Sequence, residues 1–145
     1  MKKSVFVIFF MLVSTFYGLS QCDEFVKQEC LPQLGTFTDI GKKNLAVLLP
    51  GDTAQIGVTF YRLHQYRVVV CAQPDLGKVS FRLMDRKGSV LFDSKSHNNP
   101  LFWDFNTQVT ESVIIQLIVP SVAANQVAQT GCVSLLVGFK GQTPQ

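Results

Sequence analysis

The sequence predicts an all-β fold, an antiparallel two-sheet sandwich of jelly-roll or Greek-key type, and three observations carry that expectation. Short apolar runs with two-residue alternation recur through residues 44–140. Turn residues separate these runs at a spacing of roughly 8–12 residues, which gives about eight strands. One run, Tyr66 to Ala72 (YRVVVCA), is apolar on both faces, as a central strand covered on both sides must be. A small closed barrel is the alternative closure.

The chain opens with a leader. Lys2 and Lys3 form a basic start, Val5 to Val13 an apolar core, and Gly18-Leu19-Ser20 supplies small residues for a signal peptidase. Residues 1–20 therefore read as a signal peptide cut near Ser20/Gln21. Its apolar stretch, Val5 to Tyr17, falls short of the ~20 residues that span a bilayer, so no transmembrane anchor is expected. Lipidation at Cys22 is the other reading of this junction, disfavoured by the bulky Gln21 and by the unpaired cysteine it would leave. Without Lys2 and Lys3, the 13 Lys+Arg become 11 against 10 Asp+Glu. A near-neutral mature chain whose longest basic run is Lys42-Lys43 implies no nucleic-acid partner.

Residues 21–43 form an N-terminal segment tethered by cysteines. Asp23 to Cys30 fits a short helix, stopped by Pro32 and too short to stand without docking on the sandwich. The domain proper, residues 44–140, begins with Asn44 to Leu49, ended by Pro50-Gly51-Asp52. Thr53 to Phe60 alternates through Ala54, Ile56, Val58 and Phe60, with Gly57 read as a bulge or a close backbone approach. Tyr66 to Ala72 is followed by the breaker Gln73-Pro74-Asp75. Val79, Phe81 and Leu83 then share a face. Asp85-Arg86-Lys87-Gly88 is a hairpin turn with Gly88 at its left-handed position, and Ser89 to Asp93 returns. After the polar loop Ser94 to Pro100 come Phe102 to Val109, Ser112 to Val119 and, beyond the loop Ser121 to Gln129, Thr130 to Phe139. Val122 and Val127 of that loop either anchor a partner or tuck against the sheet. Residues 141–145 are expected to be a flexible tail.

Four cysteines follow the leader: Cys22, Cys30, Cys71 and Cys132. In an oxidising compartment they read as structural half-cystines, and without a C-x-x-C motif redox catalysis is not indicated. Cys71 ends one strand and Cys132 starts another, so Cys71–Cys132 with Cys22–Cys30 is the preferred pairing. A continuous helix between Cys22 and Cys30 would rise ~12 Å, beyond bridging distance, and would instead staple both to Cys71 and Cys132.

Catalytic and metal chemistry find little support. His64 and His97 are the only histidines. His64 reads as an exposed turn residue. His97 lies in a polar loop near Asp93, Asn98, Asn99 and Asp104, but no ligand spacing accompanies it, and no G-x-S-x-G elbow exists. Neither a metal nor another cofactor is expected, and a small hydrolase is the least supported function. In Phe102-Trp103-Asp104-Phe105, Trp103 and Phe105 share one strand face and Phe102 and Asp104 the other. The sole tryptophan reads as core beside Phe81 and Leu83. The functional alternative makes Trp103, or exposed Tyr61 and Tyr66, a platform for a sugar ring.

Several stretches together carry a resemblance. The leader ending in Ser-Gln-Cys, the N-terminal cysteine pair, YRVVVCA and the closing Gly131 to Lys140 (GCVSLLVGFK) resemble small uncharacterised exported β-proteins of Bacteroidota. That resemblance covers most of the mature chain and implies no activity. The PGD turn, the strand Tyr66 to Val70 and Val79-x-Phe81-x-Leu83-x-Asp85 before a glycine turn are similar to bacterial pre-peptidase C-terminal β-sandwich domains, which implies a non-catalytic accessory module. With no recognisable sorting domain after the last strand, the periplasm is expected rather than the cell surface. The expectation is a disulfide-stapled, non-enzymatic binding or interaction module, periplasmic or secreted. Its partner is another envelope protein or a glycan, with Trp103, Tyr61, Tyr66 and His97 as candidate contacts; the alternative is a carbohydrate-binding module.

Overall fold

A computed structural model describes residues 17–42 and 44–141. The basic and apolar parts of the expected leader and residues 142–145 of the expected tail lie outside them. Gly141, placed in that tail by the sequence reading, closes the last strand.

The fold is an all-β sandwich rather than a barrel. Among the described residues, nine strands are arranged in two antiparallel sheets: β1 (Thr38–Asp39), β2 (Asn44–Leu48), β3 (Thr53–Phe60), β4 (His64–Ala72), β5 (Ser80–Met84), β6 (Val90–Asp93), β7 (Phe102–Thr107), β8 (Glu111–Ile118) and β9 (Gly131–Gly141). The first sheet runs β1-β9-β4-β7, and the second β3-β8-β5-β6. β9 is long enough to take two short strands along one side: β2 pairs with Gly131 to Leu135, and β1 with Gly138 and Phe139. The two-residue β1 has no alternation to announce it, and the sequence reading omits it.

Period-two patterning sets the layers. Tyr66, Val68 and Val70 of β4 face Phe81, Leu83, Val113, Ile115 and Leu117 of the second sheet, with Val133, Leu135 and Val137 of β9 completing the core. Each fully buried aliphatic or phenylalanine side chain contributes about 1.5–3 kcal/mol. Gly88 has φ 86°, the left-handed value the hairpin turn needs. Gly57 is neither a bulge nor a close approach. β3 and β8 stay in register through it, and nothing lies within 4 Å of the Cβ it lacks.

The other face of β4 and β9 is apolar because the N-terminal segment covers it. Helix α1 (Tyr17–Phe25) runs on through a π turn, Val26–Cys30, and a 3-10 turn, Leu31–Leu34. The expected cleavage point after Ser20 falls within α1. Val26, Cys30 and Leu34 pack on Val69, Cys71 and Leu136, forming a second, smaller core. Gly138 is required beneath this cover: a Cβ there would stand 2.7 Å from Cβ of Phe37 and 2.9 Å from Cδ2 of Leu34.

This docking corrects the preferred cysteine pairing. Cys22 is bridged to Cys132, with Cα atoms 5.6 Å apart, and Cys30 and Cys71 are buried thiols. Helical backbone from Cys22 to Cys30 separates those two by about 12 Å. Cys71 lies opposite Ser134, so Cys132 is its diagonal neighbour, and diagonal positions are about 7–8 Å apart, too far to bridge. The helical path decides against Cys22–Cys30, as the continuous-helix alternative requires.

Candidate functional site

Of the four candidate contacts, the structure brings Tyr61 and Tyr66 together and leaves Trp103 and His97 as a second pair elsewhere. β3 ends at Phe60, and the chain turns through Tyr61, Arg62 and Leu63 into β4. His64 is the first residue of that strand and half-buried, not a residue of the exposed turn. Even-numbered residues of β4 point between the sheets, so His64 and Tyr66 face inward beside Phe139 of β9, and Tyr66, expected to be exposed, is buried. The His64 ring centroid lies 5.9 Å from that of Phe139 and 6.0 Å from that of Tyr66.

Where β3 faces β9, the sheets leave a pocket of about 310 Å³. Ile40, Val58, Val137 and Phe139 line it with apolar side chains, and Thr59, Tyr61, His64 and Tyr66 complete its lining. That volume sits at the small end of ligand and side-chain pockets. Tyr61 is 60% exposed at its mouth, Ile40 39%. The neighbouring turn adds Leu63, half exposed, so large apolar side chains crowd this end of the molecule.

The turn that carries this rim is held rigidly. The Tyr66 hydroxyl accepts from the Tyr61 amide at 2.9 Å, and the buried Thr107 hydroxyl donates to the carbonyls of Tyr61 and His64 at 2.6 and 3.1 Å. The Leu63 amide donates to the Thr107 carbonyl, and the Arg62 amide to the Thr110 hydroxyl. These bonds fix Leu63 at φ 60°, a left-handed conformation unfavourable for a branched residue. Strain of this kind persists where surrounding bonds over-determine the backbone, and here it points a leucine into solvent beside the pocket.

Trp103 and His97 have different surroundings. The Trp103 ring is half-buried and stacks on Phe92 with centroids 4.1 Å apart, while the His97 ring lies 5.0 Å from it and 4.8 Å from Phe92. Trp103 and Phe105 pack against the main core, so the inward face assigned from alternation is the observed one. The polar residues around His97 hold local structure. Asp93 accepts from Arg82 Nε at 2.7 Å and caps the Lys95 amide, and Asn99 accepts from the buried Ser94 hydroxyl. Burial alone would raise the Asp93 carboxyl pKa, but the Arg82 hydrogen bond and the Lys95 amide outweigh it and hold it below the usual value. Asp85 is likewise lowered, by the Ser89 and Lys87 amides it accepts from. Among the described residues, no three or more His, Cys, Asp or Glu side chains gather where they could hold a metal ion.

Asp104, also near the loop in sequence, points to the opposite face. There it forms a bidentate pair with Arg67, both contacts 2.7 Å, while the guanidinium lies 4.6 Å from the Phe37 ring and 4.0 Å from Phe102. Arg67 Nη1 also donates to the Gln33 carbonyl at 2.9 Å. This cluster clamps the N-terminal segment to the sheet. Sequence reasoning missed it, although an arginine on the otherwise apolar face of YRVVVCA is the signal that could have shown it.

No family model matches the chain, and no curated protein does. Among solved structures, the fold is similar to that of PliG from Aeromonas hydrophila, a periplasmic lysozyme inhibitor of g-type lysozyme. The match has a TM-score of 0.52 at 10% identity and covers 72% of this chain and 89% of that one. At that identity the likeness establishes a shared β-sandwich fold.

Proposed function

We propose that this chain is an exported, non-enzymatic module that binds another protein, with the pocket between β3 and β9 and its rim of Tyr61, Leu63 and Ile40 as the contact surface. The observation that carries the reading is the rim itself. Exposed Tyr61 and Ile40 line an apolar pocket, and exposed Leu63 shares with Tyr61 a turn fixed by hydrogen bonds, so that little is lost in ordering it on binding. A protein partner accounts for these features better than a sugar. The pocket offers a sugar few hydrogen-bonding groups, and the ring of Trp103 is stacked on Phe92, with His97 tilted against it, rather than held open as a platform.

The neighbouring fold supports the same class by analogy, since PliG is an exported protein whose partner is an enzyme. The Cys22–Cys132 bridge supports export, and no described helix is long and apolar enough to cross a membrane. Membership among small exported β-proteins of Bacteroidota, in the periplasm, belongs to this same proposal. A g-type lysozyme is the first partner to test.

The mature chain, immobilised through its C-terminus, is titrated with g-type lysozyme and, separately, with a cell-envelope protein fraction whose bound components are identified by mass spectrometry. A glycan array runs in parallel. The expected result is saturable binding of a specific protein that falls at least ten-fold in Tyr61→Ala and Leu63→Ser while Trp103 fluorescence stays native. Glycan binding without protein binding would overturn the reading, as would a protein partner indifferent to both substitutions.

A further inference from the structure

We propose that Cys30 and Cys71 close a second disulfide in the exported protein, fastening the π turn to β4 as Cys22–Cys132 fastens α1 to β9. Geometry leaves each of these thiols no other partner. Cys30 is a helical path of about 12 Å from Cys22, and Cys71 is only the diagonal neighbour of Cys132. Cys30 and Cys71 instead meet in the small core between the N-terminal segment and the first sheet, with 0% and 6% of their surfaces exposed. Cys71 is the group that most strongly raises the Cys30 thiol pKa, as a near neighbour in that core does. The bridge beside them joins the same two layers, so both pairs meet the same oxidising conditions.

The reaction is a thiol–disulfide exchange with a dithiol–disulfide oxidant, such as oxidised glutathione or a disulfide-carrying oxidoreductase of the export compartment. One thiolate attacks a sulfur of the oxidant's disulfide and forms a mixed disulfide. The second thiolate displaces the oxidant's remaining sulfur. Cys30 and Cys71 together lose two electrons and two protons, and the oxidant leaves as two thiols. The folded pair is poorly placed to start this. Cys71, burial and the neighbouring Glu29 all push the Cys30 pKa up, and the segment above shields both sulfurs. The bridge therefore forms while the N-terminal segment is still undocked, and docking then protects it.

Lys27, Lys42, Arg67, Lys78, Lys95 and Lys140 place the four cysteines in four different tryptic peptides, so connectivity can be read directly. The mature chain is refolded from the reduced state in a glutathione redox buffer, alkylated in denaturant without reductant, and mapped. The expected result is no alkylated cysteine and a linked pair of peptides, 28–42 with 68–78. Alkylation of both Cys30 and Cys71 in protein that carries Cys22–Cys132 would overturn the proposal, as would a Cys22–Cys30 linkage in native-like protein. If refolding scrambles the bonds, the Cys22→Ala/Cys132→Ala chain leaves one pair to score: a Cys30–Cys71 link there supports the proposal, and two free thiols refute it. Oxidation of folded, fully reduced protein is expected to be at least ten-fold slower than in denaturant.

Discussion

Replacing Arg67 by alanine is expected to destabilise the protein by about 3.5 kcal/mol. Most of the loss falls on the docking of the N-terminal segment. Three interactions of this side chain disappear together. The bidentate pair with Asp104 is only partly solvated, the two side chains being 17% and 32% exposed, and charge-assisted bonds of this type contribute about 1.5 kcal/mol. Stacking on Phe37 and Phe102 adds about 1 kcal/mol for the two rings. The Gln33 carbonyl loses its donor, at a cost of about 1 kcal/mol. Urea unfolding followed by the single tryptophan measures the total. Amide hydrogen exchange over Val26–Leu34 reports whether the segment opens locally, because the Cys22–Cys132 bridge keeps it tethered. Arg67→Lys keeps the charge but cannot form the planar two-bond fork, and is expected to lose about half as much. A loss below 0.5 kcal/mol for Arg67→Ala, or a lysine variant indistinguishable from wild type, would refute the clamp as described.

Gly138→Val forces its side chain into Phe37 and Leu34, and is expected to cost about 2–3 kcal/mol and to increase exchange in the same segment; protection equal to wild type would contradict it. Leu63→Gly relieves the left-handed strain and is expected to raise stability by up to about 1 kcal/mol while weakening partner binding, two effects that thermal unfolding and titration separate. Acid sensitivity follows from Asp93. Its folded pKa lies below the ordinary 3.8, so its stabilising contribution is complete above that value and disappears as pH falls through the folded pKa. Stability of Asp93→Asn is therefore expected to fall less steeply than wild type below about pH 4, as acid titration of the unfolding midpoint would show.

Eight of the nine described strands were legible in the sequence because half-buried strands alternate and central strands do not. Tyr66 to Ala72 declared, by being apolar on both faces, that something covers the outer face of the first sheet. What covers it was harder to read, because docking depends on contacts between Phe37, Leu34 and Gly138 that lie a hundred residues apart. The cysteines show the same division. Strand-end positions suggested Cys71–Cys132, whereas register makes those two diagonal, and register comes from the β4–β9 pairing rather than from spacing. Tyr61 and Tyr66 were named as contacts for expected exposure and aromatic character; Tyr61 is exposed, but Tyr66 is buried because it lies on the inward face of β4. The pocket between them depends on the gap between β3 and β9, a property of how the sheets pack that no local pattern encodes.

The covering of one sheet bears on where a partner can bind. The first sheet's outer face is closed by α1, the two turns after it, the Arg67 clamp and the Cys22–Cys132 bridge. Opening it for a partner would mean removing Val26, Leu34 and Phe37 from contact with the sheet, a cost few interfaces could offset. The second sheet's outer face is uncovered but mixed, with Gln55, Thr59, Ser112, Gln116 and the Arg82–Asp93 pair interspersed among Ile114, Ile118 and Met84. It lacks the concentrated apolar surface that anchors protein interfaces. The end carrying Tyr61 and Leu63 has that concentration, a pocket beside it, and a backbone locked before any partner arrives. A surface with these three properties is where binding loses least entropy and removes most apolar area from water, and for that reason the proposed contact is put there rather than on either broad sheet face.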